Sequence, residues 1–83
     1  MATEHRTWAL AVRHPMRMAV LEALSSGMKV SPEAFAERRN LQPSVVAYHF
    51  RFLQDVGAIE ATGGEFKITE RGRMLRNLAR PSH

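Results

Sequence analysis

Apolar residues recur at helical spacing along most of this chain, and the period changes once. Trp8, Ala11 and Val12 mark a first helix, expected from a Thr3 cap to about Arg13. Pro15 suits the first position of a second helix, where its missing N–H costs nothing. Met18, Val20, Leu21 and Leu24 form the buried stripe of that helix, and Ser25-Ser26-Gly27 ends it. Val30-Ser31-Pro32-Glu33 is a start signal: a serine cap, proline in the first turn and an acid at the positive helix end. The short third helix runs to about Arg39, with Phe35 and Ala36 as core contacts and Leu41 packing beneath the turn that follows. Asn40 tolerates the left-handed conformation that closes helices. Gln42-Pro43-Ser44 opens a fourth helix. Val46, Phe50 and Leu53 line its inner side, and Val45, Phe52 and Val56 widen that arc. Ser44, Ala47, Tyr48, Arg51 and Asp55 fall on the opposite face, and Gly57 caps the end.

There the period changes to alternation. Ala58–Ala61 and Glu65–Ile68 predict two short strands around Gly63-Gly64, a pair suited to a two-residue turn with positive φ. Ile59, Phe66 and Ile68 can point inward together. Thr69 caps a last helix with Met74, Leu75 and Leu78 as its apolar stripe, and Pro81-Ser82-His83 is a tail. The expected fold is mostly α with a small β-hairpin, a winged helix-turn-helix in the order α-α-α-α-β-β-α, with residues 1–83 as one domain.

Composition narrows the function. The chain has 83 residues, 45% hydrophobic and 24% charged, as in globular proteins. A domain of this size is marginal alone, so a partner subunit would help. No apolar run approaches the ~20 residues of a membrane span, and the first 13 residues contain Glu4 and no signal-peptide stretch. A cytoplasmic location is expected. Cysteine is absent, which excludes disulfides, thiolate metal sites and a cysteine nucleophile. The net charge of +4 sits wholly at the C-terminal end. Lys67, Arg71, Arg73, Arg76 and Arg80 there face only Glu70. A basic end favours a polyanion, because cations that neutralise phosphates release counterions. A solvated basic helix gives the same pattern.

Catalysis has no foothold. The carboxylates are scattered, and no G-x-S-x-G, P-loop or H-E-x-x-H motif is present. No enzyme activity and no cofactor are expected. His5, His14, His49 and His83 form no i, i+4 pair, so no metal is expected.

Duplex DNA is the expected partner. Two short helices joined by Asn40-Leu41-Gln42 have the proportions of a helix-turn-helix, whose second helix enters the major groove. Gln42, Pro43 and Ser44 deliver its N-terminal end. Ser44 and Ala47 are small enough for close approach, and Val45 can meet a thymine methyl. Tyr48 has two readings: contact with sugar or phosphate, or a partly buried surface aromatic. His49, at the edge of the apolar arc, is a structural histidine or a phosphate ligand. Arg51 pairs with phosphate or reads guanine. In the wing, Thr62, Gly63 and Gly64 would lie along the minor groove, with Lys67, Arg71 and Arg73 contacting phosphates.

Three motifs resemble those of ArsR-type winged-helix regulators and together span roughly residues 8 to 78. Residues 11–21, AVRHPMRMAVL, resemble the family's opening AL-x-HPLRLxIL. Residues 44–53, SVVAYHFRFL, followed by Gly57, are similar to its recognition helix S-x-V-S-x-HL-x-x-L-x-x-x-G. Residues 66–73, FKITERGR, look like the Y-x-LT-x-x-Gr that closes the wing in many winged helices. The resemblance implies a homodimer joined through the first and last helices, with DNA contacts at Pro43, Ser44, Val45, Ala47, Tyr48 and His49. It also implies repression from inverted repeats. Ala47 stands where serine is usual, Asn40 where glycine is common, and the cysteine metal motif is missing. Trp8, Leu10, Leu75 and Leu78 are the candidate dimer interface, with packing inside one chain as the alternative. A protein-binding adaptor is the second functional reading, suited to the electrically balanced recognition helix. RNA binding is a third, weakened by the lack of an aromatic stacking platform.

Overall fold

The computed structural model describes residues 12–79. Val12 is helical, and a turn at Arg13 and His14 follows. The rest of the first predicted helix, with Trp8 and Leu10, lies outside the described residues, as does the tail. The chain then forms α1 (Pro15–Leu24), α2 (Pro32–Arg39), α3 (Pro43–Asp55), β1 (Ile59–Thr62), β2 (Glu65–Ile68) and α4 (Glu70–Ala79). This is the expected mostly helical arrangement with one hairpin, a winged helix-turn-helix.

Local chemistry sets the element ends. His14 is the N-cap of α1: its Nδ1 accepts from the Met16 N–H at 3.1 Å, a role the sequence reading did not give it. Ser31 Oγ accepts from the Ala34 N–H at 3.1 Å and starts α2. Asn40 adopts the left-handed conformation (φ 55°, ψ 50°). The Leu41 N–H then reaches the Ala36 carbonyl at 2.9 Å and the Asn40 N–H the Glu37 carbonyl at 3.2 Å, the paired closure known as a Schellman motif. That turn aims α3 away from α2. The same closure ends α3, where Gly57 has φ 79° and the Ala58 N–H bonds the Leu53 carbonyl at 2.8 Å. Ala58 is therefore engaged by the helix end, and β1 starts at Ile59, one residue later than expected.

The strands pair antiparallel, with Thr62 opposite Glu65 and Ile59 opposite Ile68. Gly63 (φ 62°) and Gly64 (φ 87°) both have positive φ, so the turn is type I′. A single backbone bridge outside the two strands was not foreseen. Val30 and Phe66 exchange backbone hydrogen bonds at 3.0 and 2.8 Å, which pins the loop before α2 to the wing.

One core joins these elements: Leu21 and Leu24 of α1, Phe35 of α2, Phe50 and Leu53 of α3, and Ile59 of the hairpin. The α4 helix departs from expectation. Gly72, Leu75 and Ala79 face the core, while Met74 and Leu78 lie on the exposed side. The stripe Met74, Leu75, Leu78 is thus split between two faces. Residues at i, i+3 and i+7 follow the buried line, and Met74 and Leu78 form an i, i+4 pair on the other. Leu75, expected at a subunit interface, is wholly buried in the core of this chain. Leu78 is 54% exposed.

Candidate nucleic-acid interface

The second helix of the helix-turn-helix presents one continuous outer face. Ser44, Val45, Ala47, Tyr48 and Arg51 are all exposed on α3, as are Gln42 and Pro43 at its start. Tyr48 is 61% exposed, so it is not a buried aromatic. Val45, expected to widen the apolar arc, is instead 46% exposed, on a flank that no described residue buries at the N-terminal end of the helix. Phe52 and Val56, further along the same flank, do pack against the core. Arg51 Nε lies 4.0 Å from Asp55 Oδ1 one turn on, and both side chains are solvated. Such a pair is weak and breaks readily for a better partner.

His49 does not join that face. It is 6% exposed and turned toward α1. Its ring lies 4.5 Å from the His14 ring and 5.2 Å from Tyr48, centroid to centroid. Arg17 Nε donates to His49 Nδ1 at 3.2 Å, so the neutral ring carries its proton on Nε2. The Arg17 guanidinium also lies 3.5 Å from the Phe52 ring centroid. These contacts fix the flank of α3 against α1 and hold Tyr48 outward. Of the two readings for His49, this position gives it the structural one.

Burial, then the neighbouring His14 and Arg17, hold the His49 imidazole below the ordinary histidine value. An unfolded chain takes up a proton that the folded chain resists. Stability from this site is therefore present above the unfolded value of about 6.5 and lost as pH falls through it. The thermal midpoint is expected to drop between about pH 7.5 and pH 5, and His49→Asn, which keeps an acceptor near Nδ1, to narrow that drop. Melts followed by circular dichroism check this; an equal drop in the variant would assign the effect to other groups.

The wing and the basic end contribute less free charge than the sequence suggested. Gly63 and Gly64 stand exposed at the wing tip beside a half-buried Thr62. Lys67 Nζ is 3.3 Å from Glu60 Oε1, its cross-strand partner. Arg71 packs beside Gly57, at the far end of α3, about 18 Å along the helix axis from Pro43. Arg73 Nη1 donates to the Ser25 carbonyl at 2.6 Å, and Arg76 Nη1 is 3.3 Å from Glu22 Oε1. Much of the C-terminal charge thus ties α4 to α1. The register and packing that create these pairs are non-local and invisible in charge counts.

Among the described residues, an open apolar groove of about 460 Å³ between α1 and the end of α2 is lined by Pro15, Met16, Ala19, Arg39 and Leu41, none of them a carboxylate or histidine. Among the described residues no group of three His, Cys, Asp or Glu could hold a metal ion, and no helix is long and apolar enough to cross a membrane. No family model, curated protein or solved structure matches this chain.

Proposed function

We propose that this protein is a duplex DNA-binding regulator of transcription, an ArsR-type repressor acting as a homodimer on a palindromic site. The observation that carries the reading is the outer face of α3, where small residues flank exposed Tyr48 and Arg51 immediately after a tight helix-turn-helix turn. Such a face can enter a major groove about 12 Å wide with its first turn nearest the bases. In a two-fold dimer the two copies of α3 would sit one helical turn apart, roughly 34 Å. Exposed Met74 and Leu78 on α4 offer apolar surface to a second subunit. Such a regulator works in the cytoplasm, on the nucleoid or on DNA in a phage host.

A second reading, a protein-binding adaptor, is favoured by one observation: Arg51 and Lys67 are each paired with a carboxylate, leaving Val45 and Tyr48 as apolar prominences. Salt dependence separates the two. Fluorescence anisotropy on random duplex DNA at two salt concentrations is expected to show steep weakening, with a log–log slope near −0.9 per phosphate contacted. Absence of binding at low salt would move the assignment to the adaptor.

A further inference from the structure

The composition of the α3 face restricts which bases it can read; this inference rests on the DNA-binding reading and specifies its ligand. The first two turns expose Ser44, Val45, Ala47 and Tyr48. None of these side chains can form the bidentate pairs by which Arg or Lys reads guanine and Asn or Gln reads adenine. The groups that can, Arg51 and Gln54, lie in the later turns, and Arg51 is already beside Asp55. Yet the N-terminal turns of a recognition helix come closest to base edges. Gln42, just before the helix, makes no side-chain cap bond and is exposed. Its preferred base is adenine, the partner of thymine.

The major groove displays one apolar group, the C5-methyl of thymine. An exposed valine and the edge of a tyrosine ring gain by displacing water only where they meet such a group. We infer that α3 reads thymine methyl groups. Val45 and Tyr48 make the apolar contact, and Ser44 and Ala47 allow the helix to sit deep enough for it. The preferred half-site is rich in A·T pairs. A 5-methylcytosine, which carries the same methyl at the same place in the groove, substitutes for thymine better than unmodified cytosine does.

The test begins with selection of binding sites by the full chain from a random duplex pool. Anisotropy competition then uses selected duplexes with deoxyuridine in place of thymine. Each lost methyl under Val45 or Tyr48 is expected to weaken binding about fourfold, as the burial of one methyl-sized group predicts. Deoxyuridine outside the half-site is expected to change nothing. Val45→Ala, an exposed position that leaves the core intact, is expected to abolish the penalty at its own thymine; this is a double-mutant cycle across the interface. A guanine-centred half-site, or affinity indifferent to deoxyuridine, would overturn the inference while leaving DNA binding standing. Failure to enrich or bind any duplex would instead remove the reading beneath it.

Discussion

Gly72→Ala is expected to be among the most damaging single substitutions in this fold. Gly72 is the third residue of α4, and its conformation is ordinary helix. A β-carbon there would lie 2.0 Å from the Ala58 carbonyl oxygen, 2.9 Å from the Ala58 carbonyl carbon and 2.8 Å from Ile68 Cγ1. Two of these three atoms are backbone, held by the α3 closure and by the bond from the Thr69 N–H to the Ala58 carbonyl. Neither can swing aside as a side-chain tip would. Helix propensity alone predicts the opposite sign, a gain of about 1 kcal/mol for alanine over glycine. The steric term wins, since a contact this short forces α4 off the hairpin and away from Leu75's pocket. Overpacking of this kind costs about 3 kcal/mol or more, which for a domain of this size lowers the melting midpoint by roughly 12 °C or more. A thermal melt decides the sign. An unchanged or raised midpoint would mean that α4 is free to shift away from Ala58. The glycines at the wing tip offer the contrast, because a β-carbon on Gly63 meets nothing within 4 Å. There only the positive φ opposes alanine, at about 1–2 kcal/mol.

Gly72 also shows which parts of the fold were legible in the sequence. Features decided by one or two neighbouring residues were readable: the Ser31 and Thr69 caps, Asn40 in the left-handed conformation, and the two-residue turn with positive φ at Gly63-Gly64. Their physics is local, and a serine before a proline carries most of its own context. Features that need two distant segments to meet were not readable. The Val30–Phe66 bridge joins residues far apart in sequence, and nothing in Lys29-Val30-Ser31 names Phe66 as its partner. The split faces of α4 depend on which side meets Ala58, and only the placement of Gly72 shows that. At the candidate site, helical geometry put Ser44, Tyr48 and Arg51 on one face from sequence alone. It left His49 ambiguous, because the edge of an apolar arc becomes core or surface according to whether another helix arrives there. Here α1 arrives with His14 and Arg17. Charge was the least legible property. Lys67, Arg73 and Arg76 count alike in a sum, but the register pairs the first with Glu60 and tertiary packing ties the other two to α1.

Phe50 and Tyr48 lie two residues apart on α3 and are expected to report on different things. Phe50 is fully buried and stands between Phe35 of the core and the partly buried Phe66. Its ring centroid is 5.8 Å from that of Phe35 on α2, edge to face, and 5.4 Å from that of Phe66 on β2. One ring therefore couples both helices of the helix-turn-helix to the wing, and Phe66 carries that coupling on to Val30. Phe50→Ala removes this volume where three elements converge, and such truncations cost about 3–5 kcal/mol. The melting midpoint is expected to fall by roughly 15 °C or more. On the DNA-binding reading, affinity should fall even below that midpoint, because helix and wing are then held in their mutual orientation less firmly. Tyr48→Ala, on the exposed face, is expected to move stability by no more than about 0.5 kcal/mol and, on the same reading, to weaken DNA binding at every temperature where the protein is folded. Paired melts and anisotropy titrations on the two variants separate scaffold from contact surface. If Tyr48→Ala lowered the midpoint as far as Phe50→Ala, Tyr48 would belong to the packing of the domain. The outer face of α3 would then lose its largest candidate contact. If Phe50→Ala left the midpoint unchanged, the three aromatic rings would not be the centre around which the helix-turn-helix and wing close.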